Sequence, residues 1–224
     1  MKRSVALVAL AFFLTGILPL TAQAQLGEGI DIKPGVRAGV DFMTFWGDDV
    51  DGDETNRRTG ILVGGFLLAD FAGPFAVQPE LMYIQKGVSE EGTLPDGTTV
   101  TTNTKLGYIE VPLLVKLQAP LGEGITPSVF AGPTLGLNVT GEVELEVEGE
   151  GVVETTDADN VNTAELGLVL GGGIDIDFSV GTLMGDIRYG LGLTDVIEDG
   201  DVSGRNRGFM ITAGLAVDLS SVIQ

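Results

Sequence analysis

Eight charged residues stand where they could meet one another: Arg37, Asp41, Glu80, Glu110, Lys116, Glu165, Asp186 and Arg188. They come from five separate stretches, and in each they occupy the polar face of an apolar/polar alternation with a period of two. Carboxylates and guanidinium groups converging on one interior can do two things. They can line a polar path for small solutes, or they can pair and close the space. Buried charges left unpaired carry a large desolvation cost, so pairing is the expected state. Arg37 and Arg188 are therefore expected to bind inward carboxylates.

Other chemistries find little support. The chain has no His and no Cys, which excludes imidazole shuttles, thiolate nucleophiles, disulfides and His- or Cys-based metal sites. No catalytic residue, cofactor site or metal site is expected. Residues 48–54 (DDVDGDE) alternate Asp with Gly as calcium loops do. Glu54 stands where an EF-hand needs Gly, and no helix pattern flanks the run, so a solvated acidic loop is the expectation. Residues 171–173 (GGG) open no helix, so they fit close packing better than a phosphate loop. The Glu-rich run 142–154 reads as a negative rim that repels other copies. With 32 acidic against 12 basic residues, the chain is unsuited to nucleic acid.

The elements that must position these charges are strands. Alternation places them at 35–46, 59–71, 75–86, 105–117, 126–140, 163–178, 182–194 and 207–219. Long connections follow the first, third, fifth and seventh, over 47–58, 87–104, 141–162 and 195–206. Shorter ones follow the second, fourth and sixth. The alternation of residues 142–148 (EVELEVE) predicts that the fifth strand projects beyond the others as a ribbon. An even strand count with alternating loop lengths predicts an all-β fold, an eight-stranded antiparallel up-and-down transmembrane β-barrel with short periplasmic turns and long extracellular loops.

The two faces of the strands decide the solvent. One face is nearly free of charge, as lipid requires, because a Lys or Arg at the midplane costs ~2–4 kcal/mol. The other is rich in Gly, with one or two charges per strand, which is too sparse for a water-facing surface. Trp46, Tyr83, Tyr189 and Phe209 fall on the apolar face, suiting an aromatic girdle. A soluble periplasmic lipocalin-like barrel binding an apolar ligand is the inverse arrangement and the main alternative. Residues 1–24 carry Lys2 and Arg3, an apolar run and an Ala22-Gln23-Ala24 cleavage site, so they read as a signal peptide, with 25–224 as the barrel domain.

Several motifs fit a known pattern in order and spacing: 35–41 (GVRAGVD), 77–83 (VQPELMY), 108–116 (YIEVPLLVK), 131–133 (AGP), 186–194 (DIRYGLGLT) and Asn206-Arg207. Through them the chain resembles the PorT-like, porin-family outer-membrane β-barrel proteins. The resemblance implies an eight-stranded barrel in a Gram-negative outer membrane, surrounded by lipid and lipopolysaccharide, monomeric, with no single assigned activity. Thr212, Gly214, Val217 and Leu219 resemble a terminal signal read by the outer-membrane insertion machinery. A secretion-accessory scaffold acting through its loops is a further alternative. Three prolines, Pro79, Pro112 and Pro133, fall in neighbouring strands and remove ladder donors, so a bulge or local break is expected where they meet.

Overall fold

A computed structural model describes residues 30–47, 55–71, 73–158, 161–196 and 204–218. Nine strands and no helix occur among them: β1 (Ile30–Trp46), β2 (Thr55–Phe71), β3 (Phe75–Thr93), β4 (Thr99–Gln118), β5 (Ile125–Val147), β6 (Gly151–Asp157), β7 (Ala164–Phe178), β8 (Gly181–Gly192) and β9 (Arg205–Val217). Every pairing is antiparallel. β4 pairs with β5, β5 with β7 and β1 with β9, so eight strands close into a ring. β6 stands outside the ring and pairs only with the far end of β5, from Glu142 to Val147.

The expected eight ring strands are all present, but several run further than the alternation indicates. Residues 87–104 and 141–162 are not loops for most of their length. β3 continues to Thr93 and β4 starts at Thr99, and the five residues between them form a turn. In that turn the Asp96 carboxylate accepts from the Thr98 amide at 3.0 Å, which holds the Asp96 carboxyl below its ordinary pKa. β5 and β6 make a second hairpin across residues 148–150. The ends of β2 to β5, with β6, thus form a sheet standing above the ring. Its strands leave the ring at register shifts between Arg57 and Leu62 on β2, and between Gly107 and Tyr108 on β4. Bulges add twist and favour barrel rims, so they suit this junction.

Where the prolines meet, the outcome is an interruption without a bulge. β3–β4 pairing lapses between Pro79–Leu113 and Met82–Glu110, and β4–β5 pairing lapses between Pro112–Thr134 and Val115–Ala131. Both resume in the same register. Missing N–H donors remove local bonds, while the long strands on each side keep the alignment.

Because β6 contributes nothing to closure, replacing residues 143–156 by a short Gly-containing turn should leave the barrel intact. The expected readout is an unchanged heat-modifiable shift on a detergent gel. Loss of the shift would mean that the outer sheet helps to close the ring.

Candidate functional site: the charged lumen

Alternation delivers two unlike surfaces. Along β9, Arg207, Phe209, Ile211, Ala213 and Leu215 are exposed while the residues between them are buried. β4 behaves likewise, with Val111, Leu113, Val115 and Leu117 about half exposed. Such rows on all eight strands make a continuous aliphatic belt far beyond the few hundred Å² that a water-soluble monomer exposes. The lumen is the reverse. Among the described residues it buries four cations and six carboxylates: Arg37, Lys86, Lys116 and Arg188 against Asp41, Glu80, Glu110, Glu165, Asp175 and Asp186. Charges inside and aliphatics outside are the inverse of a lipocalin.

The charges sort into three tiers. In the middle tier, Glu80 on β3 receives two guanidinium groups from across the barrel. Arg188 Nη1 lies 2.7 Å from Glu80 Oε2, and Arg188 Nη2 donates to Oε1 at 2.9 Å, a two-pronged contact. Arg37 Nη1 reaches Glu80 Oε1 at 3.1 Å and Asp186 Oδ2 at 2.6 Å. Arg188 Nη2 also donates to Asp186 Oδ2 at 3.0 Å, and Gln78 adds a donor to Glu80 at 2.5 Å. Two arginines and two carboxylates therefore form a closed, charge-balanced quartet. Aromatic faces support it: Arg37 lies 5.0 Å from the Phe66 ring centroid and Arg188 lies 5.2 Å from that of Phe130.

Toward the short-turn end, Lys116 pairs with Asp175 at 3.0 Å. Toward the long-connection end, Lys86 bridges Glu110 at 2.7 Å and Glu165 at 3.2 Å, over the ring of Tyr108. Asn206 donates to the other oxygen of Glu165 at 2.9 Å. Asp41 is fully buried in the same tier. Apolar side chains fill the remaining space. Met43, Met82 and Met210 pack with Leu62, Ile84, Leu106 and Leu114 in one cluster, and Met184 packs with Phe66 and Leu68 in another. Flexible thioethers suit gaps between fixed ion pairs.

One gap in the interior lies beside Lys86, Glu110, Glu165 and Asn206. It offers about 10 Å³ to the centre of a water molecule, which is room for one. No apolar ligand fits there.

All eight charges singled out by alternation are buried in this interior. Seven of them join ion pairs, and Asp41 makes none among the described residues. The set of eight omits two central partners: Lys86 and Asp175 share the polar face of their strands and belong to the network. It also omits Phe66, Phe130 and Tyr108 as lumen groups. Each obeys the same parity as the charges around it, so parity alone is the signal that finds them. The acidic run 48–54 lies outside the described residues.

No curated protein matches the chain. Among solved structures, Neisserial surface protein A is similar at 12% identity over 83% of this chain and 97% of that one, with a TM-score of 0.49. The outer membrane protein OprG of Pseudomonas aeruginosa is similar at 14% identity over 84% and 95%, with a TM-score of 0.43. The attachment invasion locus protein Ail of Yersinia pestis is similar at 14% identity over 85% and 99%, with a TM-score of 0.40. The sequence profile of one family, described as the outer membrane protein beta-barrel domain, matches residues 22–198, most of the chain. With lipid-compatible walls, a polar lumen and a closed antiparallel ring, the chain belongs to the outer membrane protein beta-barrel domain family and is a protein of the Gram-negative outer membrane.

Proposed function

We propose that this protein is a plugged, structural barrel of the outer membrane rather than an open diffusion channel. The observation that carries the reading is the Arg37–Glu80–Asp186–Arg188 quartet, which spans the lumen at its middle with every side chain buried. A hydrated ion crossing it would have to break contacts worth several kcal/mol each in a low-dielectric space. Methionine and aromatic side chains occupy what the charges leave open, which supports the same reading.

The finer points of the assignment follow from the sequence. The motifs at 77–83 and 108–116 favour the PorT-like branch, and residues 1–24 serve as an export signal that is removed. The Thr212-to-Leu219 pattern presents the last strand to the insertion machinery. A ring that closes on itself needs no second copy, so the protein works as a monomer. The absence of His, and carboxylates that are engaged with cations, favour a role without catalysis. The sheet above the ring carries Glu142, Glu144, Glu146, Glu148 and Glu154, and it is the surface through which a scaffold role would act.

Purified protein in planar bilayers should show no discrete openings at moderate voltage. Regular single-channel steps that persist in independent preparations would overturn the plugged reading and favour solute passage through the lumen.

A further inference from the structure

The outer sheet ends in a bare edge. β6 pairs with β5 along Glu142 to Val147, and no other described strand pairs with its far side. In an antiparallel ladder alternate residues turn their N–H and C=O groups away from the partner, so this edge presents a row of backbone donors and acceptors. From Val152 to Asp157 every residue is exposed. Carboxylates on both strands, at Glu142, Glu144, Glu146, Glu154 and Asp157, keep this hairpin out of hydrocarbon and in water.

Natural sheets blunt such edges with Lys, Pro, bulges or a covering segment. Among the described residues this edge shows one of these devices, the register shift between Leu145 and Glu146, which leaves Val153 opposite no residue. From Glu154 to Asp157 the ladder is regular. No Pro occurs after Pro133, and no Lys or Arg occurs between Lys116 and Arg188. The residues themselves favour extension, since Val152, Val153, Thr155 and Thr156 are β-branched.

Charge selects what can add to the edge. Asp157 lies beside Glu142 on one face of the sheet, and Glu154 lies beside Leu145 on the other. Lys105 pairs with Glu144, which leaves Glu142, Glu146, Glu154 and Asp157 without a cation among the described residues. A second copy is a poor occupant. Antiparallel pairing centred on β6 sets Glu154 against Glu154, and like charges directly opposite destabilise a pair. The chain's own loops at 48–54 and 197–203 are acidic as well. A cationic strand is the guest that these charges favour.

We propose that β6 is a docking edge for an extended, cationic segment of another protein, which adds to the outer sheet as a further strand. Main-chain hydrogen bonds along residues 154–157 supply the pairing, and side-chain charge supplies the selectivity. Glu154 and Asp157 are three positions apart, so a guest that meets both carries its Lys or Arg at that same spacing. Such a partner is what the outer sheet would engage in a scaffold role, and the docking edge rests on that reading. A conducting lumen would leave it untouched.

The probe is a short labelled peptide with Lys at every third position among Val and Thr. Fluorescence anisotropy measures its binding to the detergent-folded chain, and amide hydrogen exchange locates it. Three comparisons accompany it: the peptide with Glu for Lys, the peptide with alternate amides N-methylated, and the E154K/D157K protein. Saturable binding to the intact chain, weakened about tenfold by each change and with new protection confined to residues 151–157, is the expected result. No binding overturns the proposal. Equal binding of the N-methylated peptide also overturns it, because charge alone would then hold the guest. Equal binding of the Glu peptide, or of the intact and E154K/D157K proteins, overturns the cationic assignment. Without peptide, protection of 151–157 that grows with the chain's own concentration would place a second copy on the edge. Slow exchange of the outward amides in the dilute chain would place a segment of the same chain there. Either outcome overturns the proposal. Glu154 and Asp157 are exposed, so heat-modifiable mobility should be unchanged in E154K/D157K, and this separates lost docking from a lost barrel. Planar-bilayer conductance reads the lumen alone, so regular openings would sink the plug and leave the docking edge standing.

Discussion

Glu80→Ala is expected to destabilise the folded barrel by about 3–5 kcal/mol, the cost of removing one member of a buried ionic group. Glu80 is the only carboxylate of the middle tier that receives both prongs of one arginine as well as a second arginine. Without it, Arg37 and Arg188 compete for Asp186, leaving two buried cations against one carboxylate. The Arg188 side chain is 4% exposed and that of Arg37 is fully buried, so water cannot replace the lost partner. Urea unfolding in detergent micelles, followed by tryptophan fluorescence and gel mobility, measures the effect.

The pairing also predicts a sign for the double variant. Removing Arg188 together with Glu80 restores the balance, since Arg37 keeps Asp186 at 2.6 Å. E80A/R188A should therefore lose less stability than the two single variants combined, with a coupling of roughly 1–3 kcal/mol. Additive losses, agreeing within about 0.5 kcal/mol, would show that the quartet does not act as a unit. Such a result would also weaken the case for a plug, because independent charges could give way singly.

How much of this is legible in the sequence follows from what alternation can encode. A period of two assigns each residue to a wall or an interior, and for Arg37, Glu80, Lys116 and Arg188 nothing more is needed. It does not say which interior charges share a height. Glu80 meets Arg188 across 108 positions of sequence, a distance set by strand tilt and ring closure. Strand ends are also hidden. Residues 88–93 and 99–104 are rich in Gly, Thr and Ser, the usual marks of a loop, yet they pair continuously with each other, and β4 pairs on its other edge with β5, so a multi-stranded sheet holds what local composition does not announce. Phe66 and Phe130 escape for a different reason. β2 carries apolar residues on both faces and gives no contrast between lipid and lumen at Phe66, whereas Phe130 is a large apolar residue on the small, polar face of β5, among Ser128, Gly132 and Thr134, and only its parity marks it.

The second large effect should come from Gly132→Val, expected to abolish the folded, heat-modifiable form. Gly132 lies within the proline-interrupted stretch, beside Pro133 and between the pairs Pro112–Thr134 and Val115–Ala131. A Cβ placed there would run into the carbonyl oxygen of Leu113, with the Leu113 carbonyl carbon at 2.8 Å and the Leu114 Cα at 3.0 Å. These are backbone atoms of the neighbouring strand, so no rotamer change relieves the contact. Overpacking a core costs typically about 1–3 kcal/mol when side chains can shift. Here β4 and β5 themselves would have to separate, at the place where prolines have already removed ladder bonds. Gly132→Ala should be milder but still clearly destabilised. Gly185→Ala is the control, because a Cβ on Gly185 meets nothing within 4 Å, and its barrel should fold normally. If Gly132→Val folds as well as Gly185→Ala, the two strands do not approach this closely. The central stretch from Tyr108 to Leu117 would then be held by its ion pairs through Glu110 and Lys116 rather than by its neighbour's backbone.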